Sequence, residues 1–131
     1  MDIEVELSRI IINEKSDQQF IVLKEKNGER RISIVIGIVE AFAIDRKIKG
    51  FEMPRPMTHE LLQSIIHNLG AGVEKITVTE LRDQTFFAVI SLKKQDSSVI
   101  EIDARPSDAI ALATSVKAPI FVNEEVLNTA S

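Results

Sequence analysis

The chain has no cysteine, tryptophan or tyrosine, only five glycines and four prolines among 131 residues, and six phenylalanines as its whole aromatic content. Without cysteine there is no thiolate nucleophile and no sulfur-ligated metal, so a catalytic or metal site must be built from oxygen and imidazole groups. The same absence fits a reducing compartment. Without tryptophan or tyrosine a general platform for stacking nucleic-acid bases has little support, and no glycine-rich phosphate loop is present. No apolar run approaches the roughly 20 residues of a membrane span. The opening Met-Asp-Ile-Glu-Val-Glu is acidic where a secretory signal is basic, which points to a soluble, cytoplasmic protein without membrane association. Positive charge is not in surplus either. Sixteen Lys and Arg stand against 20 Asp and Glu, a net charge of -4, so nothing draws the whole chain to a phosphate backbone. Nucleic acid as a partner would need a local site or a metal.

What is present suits one domain over residues 1–131, long enough to bury roughly two thirds of its unfolded surface without staples. Ile3, Val5 and Leu7 alternate, then Ile10 and Ile12 take the opposite phase around Ser8-Arg9, as a bulged strand requires. Asn27-Gly28, between Phe20–Leu23 and the alternating Ile32, Ile34 and Ile36, predicts a tight hairpin. Ile38 to Ile44 is apolar almost all round and, with its continuation to Lys49, reads as a buried helix. Thr58 offers the N-cap of a second helix with Leu61, Leu62, Ile65, Ile66 and Leu69 as its apolar stripe, and Gly70 and Gly72 end it. Strands are expected over Val73–Leu81, Phe86–Leu92 and Val99–Asp103, then a helix from about Ser107 to Lys117 and a short one from Glu124.

The second half repeats the order of the first. A gapless shift of residues 1–68 onto 69–131 puts Val5 on Val73, Ile32 and Ile34 on Ile100 and Ile102, and Glu40–Ile44 on Asp108–Leu112. The expected fold is α+β: a duplicated strand-strand-strand-helix(-helix) unit in one compact domain with a mostly antiparallel sheet. Two core helices would then each carry an acid, Glu40 or Asp108, in the first turn, where it is favoured by about 0.3 to 1 kcal/mol.

Charge is concentrated at one junction. In Glu101-Ile102-Asp103-Ala104-Arg105-Pro106-Ser107-Asp108, Pro106 forces Arg105 to be extended, and the helix that follows carries the small apolar run Ala109 to Ala113. Asp103, Arg105 and Asp108 beside a core need either mutual pairing or a cleft.

Three motifs, Ile36-Gly37 with Glu40-Ala41-Phe42-Ala43-Ile44, then Arg55-Pro56-Met57-Thr58-His59-Glu60-Leu61-Leu62, then Glu101 to Ala113, stand in an order that resembles the bifunctional nuclease domain family over nearly the whole chain. The resemblance implies an α+β domain and cleavage of both RNA and DNA. Two departures are visible. Asp83-Gln84 replaces the family's frequent acid-glycine turn, and Ala113-Thr114-Ser115 is more polar than the usual helix continuation.

The residues can support such chemistry in one way. Glu40, Asp103 and Asp108 are candidate ligands of a divalent Mg²⁺ or Mn²⁺, which would polarise a phosphate and activate water. No spacing fixes that cofactor. Arg105 matches a phosphate in two-point contact, and Arg55 either binds substrate beside it or pins its Pro-flanked loop to Glu40 or Asp108. His59 in a helix's first turn would have a lowered pKa and serve as acid or base. The catalytic candidates are thus Glu40, His59, Asp103 and Asp108. A noncatalytic alternative uses the same charges as a structural network, with apolar faces left for a homo-oligomer, a partner or a small anion. Open carboxylates within reach of one cation favour the enzyme; burial in an arginine network favours the structural role.

Overall fold

In the computed structural model, which describes all residues but 14, 16, 17 and 53, the opening strand behaves as its phase change requires. Strand β1 (Asp2–Ile11) pairs antiparallel with β2 (Gln19–Glu25), and the register slips between Leu7 and Arg9. β3 (Arg31–Ile36) pairs antiparallel with β2, its isoleucines all buried and the residues between them exposed. Helix α1 (Ile38–Ile48) follows, then α2 (Thr58–Asn68). β4 (Ala71–Arg82), β5 (Thr85–Lys94) and β6 (Val99–Ala104) form the second antiparallel set. Helix α3 (Pro106–Val116), strand β7 (Ile120–Asn123) and helix α4 (Glu124–Ala130) complete the chain. The sheet has seven strands in the order β3-β2-β1-β7-β4-β5-β6. The fold is α+β, and the parallel β4–β7 pairing is the exception in a sheet that is otherwise antiparallel. β3 and β6, and α1 and α3, stand 68 residues apart at both of their ends.

The core lies under α1 and α3. Ile44, Ile110 and Leu112 are buried against Ile21, Ile76 and Ala88 of the sheet, and the small Ala41, Ala109 and Ala113 let the helices approach closely. The sheet curls enough for α4 to touch both β3 and β4, and Arg30 of the β2–β3 loop hydrogen-bonds Asn128 on α4. Among the described residues no helix is long and apolar enough to cross a membrane.

Four sequence expectations need correction. The Asn27-Gly28 hairpin is wider than a two-residue turn: Glu25 N–H donates to Arg30 C=O at 3.0 Å, and the Glu25 carboxylate holds the Arg30 guanidinium at 2.6 Å. That pair lowers the Glu25 pKa, chiefly through the Arg30 side-chain hydrogen bond, and it closes the loop together with the backbone bond. Thr58 is the first helical residue of α2 and Met57 its cap, because the Met57 N–H donates to the Glu60 carboxylate at 2.9 Å. The α2 stripe is not core: Leu61 and Ile65 are about half exposed and Leu69 is 80 % exposed, Ile66 alone packing inward. Helical spacing marks one face as apolar without saying what covers it. Finally, β7 was not expected; four residues are too few for a periodic signal.

The Asp83-Gln84 departure has a structural consequence. The two residues form the β4–β5 turn with φ of 51° and 63°, both left-handed, a conformation costly for residues bearing a Cβ. Gln84→Gly is expected to stabilise the fold by about 1 kcal/mol, read as a higher urea midpoint. An unchanged or lower midpoint contradicts this.

Candidate active site

Three helices of eleven residues each begin near one another, and each carries an acid at its third position: Glu40 in α1, Glu60 in α2 and Asp108 in α3. First-turn amides lack helical partners, so an acid there is favoured by each helix dipole. Pro106 at the first position of α3 fixes Arg105 as its extended cap, φ -70° and ψ 144°. Gly37 caps α1, and the Glu40 carboxylate folds back so closely over it that a Cβ on Gly37 would meet Oε2 at 2.3 Å. A bare glycine is therefore what leaves room for Glu40 in this pose.

These starts surround a hollow of about 230 Å³. Its apolar wall is Val39, Ala43, Met57, Leu62 and Ala111, and its polar groups are Glu40, Thr58, His59, Arg105 and Asp108. Arg105 is the hub. Its Nε donates to Asp108 Oδ2 at 2.9 Å, and its Nη2 donates to Asp108 Oδ1 at 3.2 Å and to Glu40 Oε1 at 3.3 Å. The hydrogen bonds it donates to Asp108 raise the Arg105 pKa most, so the guanidinium stays charged. Its Nη1 has no hydrogen bond to a described residue, and the side chain is 67 % exposed. Two carboxylates thus orient one edge of the fork and leave the other facing solvent.

His59, the second residue of α2, is only 6 % exposed, and its Nε2 is buried with no hydrogen-bond partner among the described residues. An unsatisfied buried nitrogen costs about 1 to 3 kcal/mol, which marks this ring as something other than core filling. Burial, ahead of any neighbouring charge, pushes its pKa down and keeps the imidazole neutral. The sequence pointed to a lowered pKa through the helix start; the larger cause is desolvation. Glu60 is held below the usual carboxylate range mainly by the Met57 N–H, and it faces Lys47 across 3.7 Å.

Glu40, His59, Arg105 and Asp108 are therefore brought together, and two other candidates are not. Asp103 lies exposed on β6 opposite Val89, on the strand face away from Ala104, and does not line the hollow. Arg55 is exposed in the loop before α2 and has no ion pair with a described residue. The proposed metal set of Glu40, Asp103 and Asp108 does not fit a cation cage, since Asp103 is absent and the other two face Arg105. Among the described residues no three His, Asp or Glu side chains converge on such a point. The sequence missed Gly37, Met57 and Leu62 as parts of the site. The first carried a signal, a glycine three residues before Glu40 at a helix start.

Comparison with known proteins places the chain in a family. The model of the bifunctional nuclease domain matches residues 21–131. An uncharacterised protein of Mycobacterium tuberculosis is 37 % identical over 124 residues, covering 95 % of this chain and 73 % of that protein. Bifunctional nuclease 1 of Arabidopsis thaliana is 28 % identical over 107 residues, 79 % of this chain and 33 % of its own length. Bifunctional nuclease 1 of Oryza sativa subsp. japonica is 24 % identical over 118 residues, 88 % of this chain and 36 % of its own. The chain thus spans about a third of the plant proteins it matches. With 111 of its 131 residues inside the family model, the chain belongs to the bifunctional nuclease domain family.

Proposed function

We propose that this protein hydrolyses phosphodiester bonds of RNA or DNA at the hollow bearing Glu40, His59, Arg105 and Asp108, in the cytoplasm. The observation that carries the reading is the braced Arg105, which keeps Nη1 without a hydrogen bond to a described residue and lines a cavity also lined by a neutral histidine whose Nε2 has no partner among them. Each helix N-terminus acts as about half a positive charge, so the three of them together with Arg105 and Lys47 slightly outweigh Glu40, Glu60 and Asp108 and admit a phosphate. In this reading Arg105 grips a nonbridging oxygen. His59 accepts a proton from the attacking water, whose oxygen bonds to phosphorus as the bond to the leaving alkoxide breaks and solvent protonates that alkoxide, while Asp108 and Glu40 hold the guanidinium in place. A divalent metal is not part of it, because the carboxylates that would bind one are engaged by Arg105.

The test is cleavage of 5′-labelled single-stranded RNA and DNA by the purified chain, beside Asp108→Asn. The variant is expected to lose activity at least tenfold while losing no more than about 1 kcal/mol of stability, the range for exposed ion pairs. Equal cleavage by both proteins overturns the assignment. Gly37→Ala provides a finer check: it pushes the Glu40 carboxylate aside without backbone strain, so activity falls while the melting temperature holds.

The exposed α2 stripe favours a homo-oligomer as well. Leu61, Leu62, Ile65 and Leu69 carry no charge, so two copies can face each other without repulsion. Ile65→Glu is expected to shift the protein to monomer in light scattering; an unchanged mass removes the stripe as the contact.

A further inference from the structure

Arg105 lines a second, larger hollow of about 490 Å³ on the other side of its side chain, between β3 and the start of β5. We infer that this hollow is a nucleoside subsite, holding the base next to the phosphate gripped by Arg105, with the Phe86 ring as its stacking face. The inference rests on the phosphodiesterase reading above and adds where the strand runs. Gly37 lines the second hollow and Val39 and Glu40 the first, so the two are neighbours along the start of α1 as well as through Arg105.

The chemistry of the walls selects the occupant. Exposed Val35 and half-buried Phe86 give an apolar slot backed by the core side chains Ile34 and Ile36, Ser33 and Gln84 give neutral donors and acceptors, and Arg105 is the one charged side chain in the lining. A neutral planar base beside one phosphate matches that set better than a second phosphate does. Backbone adds to it. β3 is the end strand of the sheet, and β6 pairs with β5 only from Ala88 to Lys93, so Thr85, Phe86 and Phe87 have no partner on that side. Both walls therefore offer free ladder groups to the edges of a base, which favours tolerance of sequence. At about 490 Å³ the volume falls within the usual range of small-ligand clefts, whereas the first hollow is below it. Contact with a single phosphate on a chain of net charge -4 further predicts weak salt dependence. A logarithmic slope of about -0.7 is expected for one phosphate on a single strand.

The chain has no tryptophan, so Phe86→Trp supplies a unique reporter, and Ser33→Trp, on the exposed face of β3, supplies a second that leaves the core untouched. Each is titrated with a phosphorothioate hexathymidylate, with binding followed independently by anisotropy of a labelled strand. Saturable quenching of both indoles is expected, with Phe86→Leu binding about tenfold more weakly, and the unsubstituted chain is expected to turn over the small diester bis(4-nitrophenyl) phosphate. Binding seen by anisotropy with unchanged indole emission and no weakening in Phe86→Leu overturns the subsite while leaving the Arg105 site standing. Absence of both binding and small-diester turnover overturns the phosphodiesterase reading itself, and the subsite with it.

Discussion

His59→Leu is expected to make the protein more stable and nearly inactive at once. Leucine fills much the same space and removes the buried Nε2 that has no partner, a nitrogen whose burial costs about 1 to 3 kcal/mol. The same change removes the group that accepts a proton, a contribution typically worth about 10² to 10⁴ in rate. The pH dependence separates this from ordinary repacking. His59 has its pKa depressed below the ordinary value near 6.5 by burial, so below that pH the unfolded chain takes up a proton that the folded chain refuses. The destabilisation from that refused proton is absent above pH 6.5, grows as the pH falls below it, and is complete below the depressed folded value. The gain from His59→Leu is therefore larger at pH 5 than at pH 8, as two thermal melts will show. A variant less stable at both pH values makes the ring a packing element and removes it from the chemistry.

Arg105→Ala is expected to lower kcat/KM by about 10² to 10³, the usual effect of losing a preorganised charge-stabilising donor. Stability should move by less than about 1 kcal/mol, because the ion pairs to Asp108 and Glu40 are exposed and screened. Arg105→Lys restores little, since one ammonium cannot both bridge two carboxylates and offer a free edge. The alanine variant also leaves Glu40 and Asp108 facing each other without their cation. Mn²⁺ is then expected to raise the melting temperature of Arg105→Ala and not that of the native chain. An equal rise in both would mean that the native carboxylates bind metal beside Arg105, and the guanidinium would lose its place as the site's cation.

The parts of the fold that were legible in the sequence are those where periodicity and burial coincide. The phase change at Ser8-Arg9 is the β1 bulge, and Ile32, Ile34 and Ile36 are buried in alternation. α1 and α3 fall where small apolar runs follow a glycine or a proline. β7 was not legible because Ile120–Asn123 is a short strand whose place between β1 and β4 is a tertiary fact. The α2 stripe was misread for a related reason, since an apolar face looks the same in sequence whether a core or a second copy covers it. At the site, Glu40, Arg105 and Asp108 could be grouped from a glycine-started and a proline-started helix with an acid at equivalent positions. Asp103 was grouped with them by proximity in sequence, but strand alternation sends it to the other face from Ala104. His59 carried the least signal. A histidine one residue into a helix reads as solvated, and only the packing of α2 shows its ring buried.

Chemical-shift mapping of the ¹⁵N-labelled chain with an uncleavable phosphorothioate oligonucleotide tests the central claim most directly, because it asks where the strand lies and not whether a trace enzyme is present. The account predicts the largest shifts at the three helix starts, over Gly37–Glu40, Met57–Glu60 and Arg105–Asp108. Shifts confined to the basic β2–β3 hairpin around Lys24, Lys26 and Arg31, with those starts unmoved, would contradict it.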